Sequence, residues 1–155
     1  MQFTDREPKI ENREPRTANR ELRTENCELR TDKGKNMSYQ KLEVWQKSIG
    51  LVVKIYSATK LFPKEEIFGL VSQMRRSAVS IPSNIAEGYG RRNPKENKQF
   101  VNIAYGSAVE LETQVIISEK LNIIIFDWQE IKNKLEEVKK MLYKYREYLS
   151  NYQCD

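Results

Sequence analysis

Residues 131–149 read IKNKLEEVKKMLYKYREYL, and the spacing of their apolar positions decides the fold. Ile131, Leu135, Val138, Leu142, Tyr145 and Leu149 recur at steps of four, three, four, three and four residues. Such steps place one narrow apolar stripe on a helix and favour left-handed packing against neighbouring helices. Lysines and glutamates fill the intervening positions, as on a solvated face. Asp127, followed three residues later by Glu130, predicts a capping box at the start of this helix.

Three further helices precede it. One starts at Asn93 as cap, with Pro94 in the first helical position and Glu96 completing a capping box. Phe100, Ile103, Ala104, Ser107, Leu111, Gln114 and Leu121 mark its expected inward face. Ala104, Gly106, Ser107 and Ala108 are small enough for a neighbouring helix to come close. The helix before it starts near 63–66, where Glu65 and Glu66 suit a positive N-terminal end. Ile67, Leu70, Val71, Met74, Ala78 and Ile81 supply its stripe. Pro82 removes one helical hydrogen bond and predicts a kink rather than a stop, since Ile85 keeps the register. Gly88 and Gly90 are expected to end it in the left-handed conformation. The first helix is expected over about 39–60, with Leu42, Trp45, Ile49, Val52, Val53 and Tyr56 as its stripe. No strand pattern competes. Short connections join antiparallel neighbours, so the sequence predicts an all-α, up-down-up-down four-helix bundle.

Composition limits what such a bundle can do. The chain has 155 residues, 27 Lys and Arg against 22 Asp and Glu, a net charge of +5 and no histidine. Without histidine there is no His-based triad, no His general base and no Glu-x-x-His di-iron site. The cysteines, Cys27 and Cys154, lie near the two ends and make neither a disulfide framework nor a metal site. No apolar run approaches the roughly 20 residues of a membrane span. The charged N-terminus lacks a signal-peptide core, so a cytoplasmic protein without membrane contact is expected.

The first 36 residues differ in kind. From Arg6 they read REPKIEN, REPRTAN, RELRTEN, CELRTDK, a degenerate seven-residue repeat, and the 36 residues together hold nine Lys and Arg and eight Asp and Glu. Pro8, Pro15 and sparse apolar positions argue against a coiled coil and for disorder. The segment reads either as a flexible RNA-contacting arm or as repetitive sequence ahead of a true start at Met37. The bundle domain is expected over 37–155.

Several ordered motifs carry a family resemblance. They are Leu42-Glu43-Val44-Trp45-Gln46-Lys47, Phe62-Pro63-Lys64-Glu65-Glu66, the run from Gly69 through Arg75-Arg76 and Ser80-Ile81-Pro82-Ser83-Asn84-Ile85-Ala86-Glu87 to Gly88, and Glu110-Leu111-Glu112-Thr113-Gln114. Over most of 39–149 the chain resembles the 23S rRNA intervening-sequence protein family of four-helix bundle proteins. The resemblance implies a cyclic homopentamer and a connection to inserted segments of large-subunit rRNA genes. More distant relatives are accessory proteins of diversity-generating retroelements, which bind RNA and a reverse transcriptase. Either RNA or a reverse transcriptase is therefore an expected partner. No cofactor is implied.

Candidate sites follow from charge. Arg75 and Arg76 precede Arg91, Arg92, Lys95 and Lys98 around the turn between the second and third helices. If these faces converge beside Tyr89 and Tyr105, arginines grip phosphates and a ring stacks on an unpaired base. The alternative is a solvated basic face, or arginines paired with a neighbouring subunit. On the last helix, Lys132, Lys134, Lys139, Lys140, Lys144 and Arg146 read better as a salt-bridged face, with Glu130–Lys134 and Glu136–Lys140 pairs. Pro82, Ser83, Asn84, Glu87, Gly88 and Gly90 form a structural motif, in which Ser83 and Asn84 bind carbonyls near the proline or a facing helix. No catalytic residue and no metal ligand set is expected. If Trp45, Tyr56, Phe68, Phe100, Tyr105 and Trp128 exceed what one small bundle buries, some lie at subunit interfaces; the alternative is ordinary core or scattered surface.

Overall fold

Ile131, Leu135, Val138, Leu142 and Leu149 lie buried along one face of the last helix, with Tyr145 half-buried beside them. The computed structural model describes residues 38–91 and 93–151. The N-terminal repeat, both cysteines and Arg92 lie outside the described residues. Four helices carry the fold: α1 (Glu43–Thr59), α2 (Leu70–Gly90), α3 (Pro94–Lys120) and α4 (Gln129–Asn151). Short 3-10 turns at Tyr39–Lys41 and Lys64–Glu66 precede α1 and α2, and no strand occurs among the described residues. Contacts run α1 to α2, α2 to α3, α3 to α4 and α4 back to α1. No described helix is long and apolar enough to cross a membrane.

Ion pairs record how the helices lie. Lys47 meets Glu137 at 2.9 Å, and Lys54, seven residues on, meets Glu130 at 2.9 Å, seven residues back. The same reversal runs between α3 and α4, where Glu112 meets Lys139 and Glu119 meets Lys132.

Several boundaries and faces differ from expectation. α1 begins at Glu43, because Ser38 caps the separate turn before it. Its buried face is Val44, Ser48, Leu51, Ile55 and Ala58 rather than the expected stripe. Trp45, Val52 and Leu42 are half-buried against that core, whereas Ile49 and Val53 keep 37% and 59% of their surface exposed. Apolar residues cover most of this helix's circumference, so spacing alone admits two registers.

α2 begins at Leu70, not near 63–66. Gly69 leaves helical geometry at φ −95°, ψ −118°, and Ile67 is exposed. Glu66 still serves the helix start, accepting from the Leu70 N–H at 3.2 Å. The helix runs on through Pro82 to Gly90. No described glycine has positive φ, so the expected left-handed ending does not form. Gly88 is instead needed for space: a Cβ there would lie 2.8 Å from Asn97 Oδ1 and 2.8 Å from Phe100 Cβ. Gly90 faces nothing within 4 Å.

Asn93 Oδ1 accepts from the Lys95 N–H at 2.9 Å, with Pro94 opening α3 as expected. Ala104, Ser107, Leu111 and Gln114 face inward, together with Val101, Ala108 and Val115. Ile103 and Leu121 turn outward, and Leu121 lies beyond the last helical residue. Before α4, Asp127 Oδ1 accepts from the Gln129 N–H at 2.9 Å. Glu130 does not complete a box or pair with Lys134; Lys54 holds its carboxylate. Glu136–Lys140 forms at 3.4 Å.

Candidate nucleic-acid interface

The close approach at Gly88 fixes the end of the bundle where α2 turns into α3. Asn97, almost fully buried there, donates through Nδ2 to the Tyr145 hydroxyl at 3.0 Å and ties α3 to α4. Its Oδ1 faces Gly88 and has no hydrogen-bond partner among the described residues. Tyr89 is half-buried at the same end. Arg91 donates to Glu87 Oε1 at 2.6 Å and lies 5.0 Å over the Phe100 ring. Lys95 and Lys98 follow on the first turns of α3 and make no ion pair among the described residues.

Arg75 and Arg76 do not converge with Arg91. Arg75 stands sixteen residues before Arg91, about 24 Å along the axis of α2. Its Nε donates to Thr59 Oγ1 at 2.9 Å, and its guanidinium lies 4.9 Å over Tyr56, so it clasps α1. Arg76 is exposed near the same end as Arg75.

Ser83 and Asn84 turn back onto α2. Ser83 Oγ donates to the Val79 carbonyl at 2.9 Å. Asn84 Nδ2 donates to the Ser80 carbonyl at 2.8 Å and reaches Ser80 Oγ at 3.0 Å. Ser80 Oγ is 2.9 Å from Ser107 Oγ, which carries the network across to α3. Pro82 is buried and, with Tyr39, Trp45, Ile49 and Val79, lines a shallow apolar groove of about 210 Å³ between α1 and α2.

Three carboxylates of the expected motifs have cationic or amide neighbours. Glu112 binds Lys139, Glu110 accepts from Gln114 Nε2 at 3.1 Å, and Glu87 holds Arg91. No cluster of metal-ligating side chains occurs among the described residues.

One group escaped the sequence reading. The Arg146 guanidinium lies 5.7 Å from the Tyr105 ring centre and 4.8 Å from that of Tyr143. Heptad spacing of Lys132, Lys139 and Arg146 opposite Glu119, Glu112 and Tyr105 was the available signal. A basic, aromatic surface of this kind can bind phosphates and stack on bases.

Known proteins locate the chain. No curated protein matches it. A crystal structure of a protein of unknown function from the S23 ribosomal protein family of Bacteroides thetaiotaomicron is similar, with a TM-score of 0.62 and 26% identity. The similarity covers 67% of this chain and 95% of that one. The sequence profile of the 23S rRNA-intervening sequence proteins matches residues 40–144, well over half of the chain. Four helices, the matched span and the structural relative agree: the chain belongs to the 23S rRNA-intervening sequence protein family.

Proposed function

We propose that this chain is a non-enzymatic, cytoplasmic, RNA-associated protein whose antiparallel, up-down-up-down bundles close into a cyclic homopentamer. The reversed numbering of the Lys47–Glu137 and Lys54–Glu130 pairs supports the antiparallel order. The carrying observation for RNA is that Lys95 and Lys98, which like six other described lysines make no ion pair among the described residues, stand on the first turns of α3 just after Arg91, so cations gather at the turn between α2 and α3. Unmatched cations beside Arg91 leave phosphate-binding capacity at one end of a basic chain. Lys95→Glu with Lys98→Glu is expected to weaken RNA binding while helicity is kept. Unchanged affinity would sink this assignment.

A protein scaffold, for example for a reverse transcriptase, is the second reading. Exposed apolar residues favour it: Ile49, Val53 and Tyr56 on α1, and Ile103, Ile116 and Ile117 on α3. Two unlike apolar faces on one chain also suit head-to-tail contacts, which close into rings. A reverse-transcriptase gene beside this one, together with no RNA affinity, would favour the scaffold.

A further inference from the structure

The seam between α3 and α4 changes character along its length. Its rungs recur every seven residues. Glu119 pairs with Lys132 and Glu112 with Lys139, each joining opposite charges. At the third rung the acid is replaced by Tyr105, opposite Arg146. Arg146 is therefore held by rings rather than by a carboxylate across the seam. Its ion-pair partner among the described residues is the adjoining Glu147, 3.8 Å from Nε, a longer contact than those of the two charged rungs. Tyr143, one turn earlier on α4, lies against the same guanidinium and keeps 50% of its surface exposed.

This rung continues toward Lys95 and Lys98, which make no ion pair among the described residues. Lys98 stands one heptad before Tyr105 on α3, and Lys95 nearly one turn further back. Residues spaced this way share a helix face. The stripe thus carries Lys95, Lys98 and Arg146 as cations, with Tyr105 and Tyr143 as rings. Glu96 and Glu147 are the acids adjoining it in sequence.

We propose that this stripe is a binding site for single-stranded RNA, with an unpaired base stacked on Tyr143 and phosphates held by Lys95 and Lys98. The proposal rests on the RNA-associated reading above and narrows it from a basic surface to a stacking platform. Ring faces are complementary to exposed base faces, and a guanidinium beside them adds a cation–π contribution. A duplex keeps its base faces stacked inside and offers phosphates, sugars and groove edges instead. The stripe therefore distinguishes single strands from duplexes without reading sequence.

The test is fluorescence anisotropy of a labelled oligouridine and of an RNA duplex, titrated with the full chain across a salt series. Tyr143→Ala is expected to weaken single-strand binding about fivefold or more while leaving the salt slope unchanged. Tyr143→Phe keeps the ring and is expected to stay within about twofold of the wild type. Lys98→Gln is expected to lower the salt slope by about one. Equal binding of both RNAs, with Tyr143→Ala matching the wild type, overturns the stacking site and leaves the RNA-associated reading standing. Failure of the wild type to bind either RNA overturns both.

Discussion

Lys139 Nζ lies 2.8 Å from one oxygen of Glu112 and 2.9 Å from the other, joining α4 to α3 through a side chain only 16% exposed. Glu136, one turn back on α4, meets the same ammonium at 3.0 Å. Lys139→Met leaves Glu112 without its cation at a partly buried seam. The expected loss is about 1 kcal/mol, between that of an exposed pair and that of a fully buried one. Urea unfolding measures it. A double-mutant cycle with Glu112→Gln isolates the pair, and a coupling of zero would contradict its role.

The same cluster sets a pH dependence. Burial opposes the Lys139 ammonium, but hydrogen bonds to Glu112 and Glu136, with their charges, outweigh it and raise its pKa above the usual lysine value. Glu136 is held below the usual glutamate value, first by its hydrogen bond to Lys139 and then by that residue's charge. A raised lysine contributes fully below about pH 10.4 and loses its contribution as pH climbs through its folded value. A lowered glutamate contributes above about pH 4.3 and loses its contribution as pH falls through its folded value. The cluster's contribution is therefore level between these limits and falls in acid. In Lys139→Met the acid limb of the urea midpoint against pH should be shallower; an identical limb would contradict the coupling.

Two neighbouring glycines should respond oppositely. Gly88→Ala forces a methyl against Asn97 Oδ1 and Phe100 Cβ, each 2.8 Å away. Overpacking of this kind costs about 1–3 kcal/mol. Gly90→Ala meets nothing and removes the flexibility of a helical glycine, for a gain of up to about 1 kcal/mol. Thermal unfolding of the two variants checks the sign of each.

How much was legible from sequence depended on contrast around each helix. On α4, charged residues separate the apolar positions, so one register exists and Ile131 to Leu149 were identified as its inward face. α1 has Ile49, Val53 and Tyr56 on one side, Leu51 and Ile55 on another, and Trp45 and Val52 half-buried between them, so two registers compete and spacing alone favours a stripe turned away from the buried face. Ile67 extended the α2 pattern past Gly69, where the backbone leaves the helix. Gly88 does not end the helix in the left-handed conformation that local pattern suggests; its requirement for a glycine comes from Asn97 and Phe100 on another helix, which local pattern does not contain. Tyr105 and Arg146 meet only through the packing of α3 on α4, which single-helix periodicity does not reveal.

The α1 register has a direct check. Leu51→Ala removes a fully buried side chain and should cost about 2–5 kcal/mol. Ile49→Ala, on the partly exposed side, should cost the isolated chain far less. Val53→Asp on that side is expected to lower the assembly mass seen by light scattering while circular dichroism stays helical. An unchanged mass would separate this face from any contact between copies.

The central claim is RNA association. Its most direct test is titration of the full chain against fragments of 23S rRNA and an unrelated RNA across a salt series. The account predicts binding whose affinity falls steeply with salt, since each phosphate engaged contributes about −0.7 to −0.9 to the logarithmic slope. No binding at low salt by protein shown to be helical would contradict it and leave the protein scaffold as the function.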